Sequence, residues 1–319
     1  MNPLLSIAIP THSRLGILGD NLRAMLPELI ETGVTVHISD SSDDDATENG
    51  IGALQQEYAG IFYRRNAGLL YDANCLKALG MPSTRYVWYL GDALRILPGG
   101  IKRVLEALGE TPSDFAVVND VGRGDVDLAP GLHRDADRIL ERLGWHMTLA
   151  GATIYAREHL EDLETRYARY LGCNFVHLAI IMETMLHAGL GLLWMDERWV
   201  VAHPAKRSGW LDRSVEVFGR DWSAFVLSLP EPYPLESKHF AIREHSLRTD
   251  VLEWKALGKL RRAGHLDLGQ LRRHWRTLQL ASGVPMPAIV LLAIAPRWMA
   301  RPLAQLGWLA RRCVRIGGR

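Results

Sequence analysis

The chain has 319 residues, is 48% hydrophobic and 23% charged, and sets 37 Lys/Arg against 36 Asp/Glu. That is ordinary for a globular protein of one large or two modest domains, and it lacks the repeats and low-complexity tracts of a solenoid or a disordered chain. Three scattered cysteines (Cys75, Cys173, Cys313) exclude a disulfide framework or zinc knuckle and fit a reducing compartment. The first residues lack a signal-peptide pattern, and the longest apolar run, 286–295, is too short to span a bilayer.

In chain order, residues 4–10 read as a buried strand. Residues 17–33 have helical spacing at Leu18, Leu22, Met25, Leu26 and Leu29, with Gly33 as the stop. Strands follow at 34–40, 61–65, 85–90 and 114–120. Helices alternate with them at 51–59, 69–80 and 98–109, the last with Pro98 near its start. This alternation predicts right-handed βαβ units and a mostly parallel sheet, so a ligand is expected beyond the carboxyl ends of the strands. Further on, 149–156 reads as a short strand, 175–189 as a strong helix and 190–203 as one or two strands; from about 210 helices dominate.

The strand ends carry "PTHSR" (10–14), "ISDSSDD" (38–44), "RRNAGLLYDAN" (64–74) and "YLGDA" (89–93). In that order and spacing they resemble a family 2 glycosyltransferase of the GT-A fold, in the abequosyltransferase-like branch. The resemblance covers residues 4–105 well and the next hundred weakly. It implies a Rossmann-like sheet flanked by helices, with a nucleotide-sugar and acceptor domain over 1–210 and a helical, basic C-terminal region over 211–319.

The resemblance also assigns roles. Pro10, Thr11 and Arg14 match the turn that meets the base and phosphates of the donor, where backbone donors and an Arg fork suit phosphate oxygens. A plain strand-to-helix turn is the alternative. Asp40 falls where the family reads the nucleotide base, with Ser41 beside it, while Asp43–Asp45 reads as a solvated helix start. Arg65, Asn66, Gly68 and Asn74 match the next donor stretch; without the resemblance Asn74 would be a surface amide, and Arg65 could instead pair with Asp40. Gly91 and Asp92 would face the diphosphate.

In the family the strand before Gly91 ends in acids that hold Mg or Mn, a metal that bridges the diphosphate. Here Asp92 stands alone and Ala93 occupies the place of the metal-binding acid. Asp92 could hold the metal unaided, Arg95 or Arg207 could replace the metal, or the acid could have been removed. For the base, His177 near the start of the 175–189 helix is the choice by chemistry, with Glu183 read as solvent-facing and Asp120 as an acceptor-binding acid. His203 to Trp210, with Lys206 and Arg207, reads either as a cover over the diphosphate or as a plain basic loop.

Charge is unevenly placed. Residues 251–319 carry thirteen Lys/Arg against two acids, net +11, while the other 250 residues carry 24 against 34, net −10. Basic helices with Trp and Leu suit an anionic membrane surface, and no nucleic-acid motif accompanies the charge. The resulting expectation is a cytoplasmic enzyme, peripheral at the inner face of the membrane. It would transfer a sugar with inversion from a UDP, GDP or dTDP donor to a saccharide or lipid-linked saccharide in bacterial surface polysaccharide (lipopolysaccharide-type) synthesis. The alternative is a catalytically impaired, transferase-like scaffold subunit. A dinucleotide-dependent dehydrogenase is disfavoured, because no G-x-G-x-x-G follows the first strand.

Overall fold

The computed structural model describes residues 1–206 and 212–317, with side chains through residue 309. The chain divides into two compact units, 1–207 and 208–319.

In the first unit β1 (Leu5–Thr11) is buried along its whole length, as a central parallel strand covered on both faces should be. Helix α1 (Leu15–Thr32) packs Leu18, Leu22, Met25 and Leu29 inward and ends at Gly33, whose φ of 68° is the left-handed C-cap that glycine takes without strain. Then come β2 (Thr35–Asp40), α2 (Ala46–Glu57), β3 (Ile61–Arg65), α3 (Tyr71–Gly80), β4 (Tyr86–Tyr89), β5 (Leu94–Ile96), α4 (Gly100–Glu110) and β6 (Phe115–Asp120). Helix α2 starts five residues before the sequence reading places it. The acidic run Asp43–Asp45 leads directly into the helix, where negative charge suits the N-terminal dipole. The remaining elements are β7 (Gly131–His133), α5 (Ala136–Met147), β8 (Thr153–Ala156), α6 (Leu163–Arg166), α7 (Val176–Thr184) and one strand, β9 (Leu192–Ala202).

The sheet order is β3-β2-β1-β4-β8-β6-β9-β5, with β7 on β9. The expected parallel order holds over β3-β2-β1-β4 and again between β6 and β9. It is interrupted by β8, which runs antiparallel to both β4 and β6, and by β5 and β7, which run antiparallel to β9. The sheet is therefore mixed. Two antiparallel steps restore direction, so β6 runs the same way as β1, β2 and β4, and all four deliver their carboxyl ends to one rim.

The second unit is helical. A π-helical turn (Val215–Asp221) leads into α8 (Trp222–Ser228), followed by α9 (Leu235–Thr249), α10 (Trp254–Ala263), α11 (Leu268–Arg273), α12 (Trp275–Ala281), α13 (Met286–Ile294) and α14 (Ala300–Gly317). Among the described residues no helix is long and apolar enough to cross a membrane.

Candidate active site

The rim is built from backbone register. Thr11 pairs with Asp40, and Asp40 with Arg65, across β1, β2 and β3. Beside β1, β4 ends at Tyr89 and the chain continues through Gly91 to Asp92. Gly91 fits closely there: its N–H bonds Ala150 O at 3.0 Å, and a Cβ would lie 3.0 Å from that same oxygen.

Asp92 is the centre of the arrangement. Its Oδ2 accepts from Thr11 Oγ1 at 3.0 Å, its Oδ1 from the Arg14 guanidinium at 3.1 Å, and its carbonyl from Asn21 Nδ2 at 2.9 Å. The Arg14 side chain is 47% exposed and that of Asp92 11%, so one edge of the guanidinium faces the acid while the rest is open. An Arg fork has five N–H donors, and most remain for a ligand.

Asp40 is wholly buried. Its Oδ1 accepts from Ser42 N and Ser42 Oγ, and its Oδ2 from Tyr63 O–H at 2.8 Å. Burial, then the bond to Asp40, pushes the Tyr63 phenol up. Ser42 Oγ in turn accepts the Ser13 N–H at 2.7 Å, which ties the β1–α1 turn to the end of β2. Asp40 thus braces the rim with most of its acceptor sites in use.

The neighbouring polar residues mostly fasten backbone. Pro10 sits in β1 opposite Ser39. Ser41 donates its N–H to Thr11 O at 3.0 Å and its hydroxyl lies 3.3 Å from His12 Nδ1, a contact the sequence reading missed. Asn74 is buried rather than a surface amide: its Nδ2 bonds Thr11 O at 3.1 Å and Ser39 O at 3.0 Å. Asn66 bonds Ser39 Oγ at 2.8 Å, and Gly68, at φ 76°, has open space around it. Arg65 does not pair with Asp40; its guanidinium bonds the carbonyls of Ser42 and Asp43.

On the β6 side Asp120 is 5% exposed and accepts the Gly122 N–H at 2.7 Å. Burial pushes its carboxyl up, against the opposing pull of that N–H and of Arg123. Arg123 is itself spent on the carbonyls of Trp145 and His146 and on Thr148 Oγ1. Lys206 presents surface to solvent yet lies among enough protein atoms that desolvation pushes its ammonium down. Asp120, Arg123, Asp92 and Arg14 are all within electrostatic reach of it. Among the described residues no hydrogen bond or ion pair engages that ammonium. Arg95 lies within β5 opposite Val201; Arg207 and the rest of the stretch to Trp210 lie outside the described residues.

His177 does not reach the rim. It is 1% exposed in the first turn of α7, with Nε2 at 3.2 Å from Met147 O and its ring 5.2 Å from that of Tyr89. Burial pushes its imidazole down to about 4. Such a ring is neutral at pH 7, a weak proton acceptor and screened from any acceptor hydroxyl, so the expectation of His177 as base is corrected. Glu183, read as solvent-facing, is held instead by Arg169 and Tyr170. The segment ahead of α7 is anchored by Asp72 on α3, whose Oδ2 accepts the N–H groups of Gly172 (2.8 Å) and Asn174 (2.9 Å).

A Mg or Mn ion asks for several oxygen ligands, carboxylates foremost. At the end of β4 the rim offers one acid, Asp92, with both oxygens hydrogen-bonded, and beside it Ala93, buried and without a side-chain ligand atom. The donor set does not fit a metal held in the family manner. Among the described residues, one cluster has ligand spacing, Asp114, Glu158 and His159. It lies at the opposite edge of the sheet, where Phe115 pairs with Tyr155 and Ala156 with Tyr86.

The comparisons agree with this architecture. No curated protein matches the chain. The family model described as Glycosyl transferase family 2 matches residues 6–163. The structure is similar to S. aureus TarS 1–349, with TM-score 0.52, 15% identity, and 99% of this chain and 92% of that one covered. Against a longer TarS structure the chain spans about half the length, 49%. It is also similar to the mannosyltransferase PcManGT from Pyrobaculum calidifontis, solved with GDP-Man and Mn2+, with TM-score 0.55, 14% identity, and 96% and 87% covered. Residues 6–163 thus match the Glycosyl transferase family 2 model, and the mixed α/β sheet that carries them has the GT-A fold.

Proposed function

We propose that the protein is an inverting glycosyltransferase that moves a sugar from a nucleotide-sugar donor to a hydroxyl of a saccharide or lipid-linked saccharide acceptor. The observation that carries this reading is the single rim to which β1, β2, β4 and β6 deliver Thr11, Asp40, Asp92 and Asp120, with Arg14 bonded to Asp92. The donor lies across residues 10–14, 40–42, 65–68 and 91–92, its diphosphate toward Arg14. The acceptor oxygen bonds the anomeric carbon as the bond from that carbon to the donor phosphate oxygen breaks. The electron pair leaves on the nucleoside diphosphate, and the acceptor proton goes to Asp120. Burial of Asp120 raises its affinity for that proton.

Titration calorimetry of the full chain with UDP-, GDP- and dTDP-sugars tests the donor class, and mass detection of a glycosylated acceptor tests the reaction. Binding to none of the three sinks the reading. The scaffold alternative is supported by Ala93 and by the occupied oxygens of Asp92. It predicts nucleotide binding without turnover.

In the 211–319 region, Leu291 (52% exposed), Ile294 (55%), Trp298 (76%), Leu306 (64%) and Leu309 (50%) present apolar surface near Arg297 and Arg301. Apolar side chains set beside cations support a peripheral place on an anionic membrane, at the cytoplasmic face where lipid-linked acceptors for surface polysaccharide would be met. Co-sedimentation with phosphatidylglycerol vesicles but not phosphatidylcholine vesicles is the expected result.

A further inference from the structure

Beyond the end of β4, where Ala93 follows Asp92, a cation lies within electrostatic reach of Asp92 and Arg14: Lys206. Strand β9 ends at Ala202, paired with Leu94, and the next residue, His203, donates its N–H to Ala93 O at 2.9 Å. The chain then turns tightly, with Lys206 N–H bonding His203 O at 2.9 Å. The turn that carries Lys206 therefore hangs from the residue that stands where the family keeps its metal-binding acid. Arg14 bonds Asp92, the residue before Ala93, at 3.1 Å.

We propose that Lys206 and Arg14 together clamp the donor diphosphate and do the work that a divalent metal does elsewhere in this fold, so that donor binding and transfer need no metal. The inference rests on the glycosyltransferase reading and adds how the leaving group is held. Breaking the sugar–phosphate bond leaves one more negative charge on the diphosphate. An ammonium and an open guanidinium edge can neutralise it directly, as preorganised cations do at transferring phosphoryl groups. Asp92 acts as a positioning residue: it holds the guanidinium by one edge and leaves the other toward the ligand. Nearby Arg123 contributes field rather than contact, because its N–H groups are taken by carbonyls and Thr148.

The test titrates the full chain with UDP, GDP and dTDP, each in EDTA and in Mn2+, and follows sugar transfer in the same buffers. The expected result is a dissociation constant for the preferred diphosphate that changes less than twofold between EDTA and Mn2+. Lys206→Ala should weaken binding about ten- to a hundredfold, as the loss of a charged contact does, and Lys206→Arg should recover most of it. The parent nucleoside should bind Lys206→Ala and the wild type alike, an outcome that a folding defect would not give. Ala93→Asp supplies the missing acid and should make binding rise with Mn2+. Binding that collapses in EDTA, or that ignores Lys206→Ala, overturns the clamp and leaves the transferase reading standing. Failure of all three diphosphates to bind overturns both.

Discussion

Two edges of one sheet carry carboxylates, and they are wired differently. At the amino edge of β4, Asp114 gives one oxygen to His159 Nε2 at 3.0 Å and the other to the Gly191 N–H at 2.7 Å, with Glu158 alongside. At the carboxyl edge, Asp92 gives its oxygens to Thr11 and to a half-exposed Arg14, while Asp120 keeps one oxygen on the Gly122 N–H. By ligand spacing alone the first edge is the better metal cluster. By partners it is a fastening: Asp114 ties the chain before β9 to β6 and orients a histidine stacked on Phe115 at 5.1 Å. The second edge has no such cluster among the described residues, but the Arg14 guanidinium there keeps free donors. Ligand spacing at an edge is a poor guide to chemistry; what occupies the carboxylate oxygens is a better one.

The largest effect that separates the edges is on turnover. Asp120→Asn is expected to lower kcat about 10²- to 10⁴-fold with little change in donor KM, the usual loss when a proton acceptor goes. A donor KM that rises while kcat holds would move Asp120 from chemistry to binding.

Acid stability comes next. The histidines His177, His37 and His146 are pushed down by burial, to about 4, 4 and 3, from 6.5. Between those values the unfolded chain binds protons that the folded chain refuses. Their contribution is therefore complete above pH 6.5 and is lost as pH falls toward 4. Buried Asp120 acts with the opposite sign, since its raised value favours the folded, protonated form at low pH. With these three histidines and His274 pushed down by burial, against Asp120 and Asp137 pushed up by it, thermal melts between pH 7 and 4.5 should fall steadily, and His177→Gln should flatten that slope. A slope unchanged in His177→Gln would remove the buried imidazole from the account.

Asp114→Asn is expected to cost about 2 kcal/mol of stability, since it weakens two partly buried hydrogen bonds, while the folded fraction keeps its activity within about twofold. If it abolished transfer at an unchanged melting temperature, the assignment of the two edges would be reversed. The mildest change is Gly91→Ala. Its Cβ would press on Ala150 O, and a cost of about 1 kcal/mol, read as a fall of a few degrees in Tm, is expected.

Much of the rim was legible because it is written in local pattern. Apolar runs end in polar residues at Thr11, Asp40 and Asp92, and parallel pairing of neighbours forces those ends to one side. What was hidden depends on partners distant in sequence. That β8 inserts antiparallel between β4 and β6 follows from competition among strands, which periodicity does not encode. His177 reads as a reactive histidine by type, yet Met147 and Tyr89 enclose it. Asn74 reads as a surface amide, yet it bonds the carbonyls of two strands. Lys206 is a single cation in a basic stretch until the Ala93–His203 hydrogen bond shows where the turn is hung.

One carboxylate on α3, Asp72, holds the peptide groups of Gly172 and Asn174 a hundred residues downstream. The start of α7 therefore inherits its place from the same helix that supplies Asn74 to the rim. Divergence can rewrite the intervening segment, or the first residues of α7, and the anchor will still return the chain to its mark. Loss of Asp72 alone would remove both of those ties and leave the start of α7 to the bonds of Tyr155 and Met147 with His177.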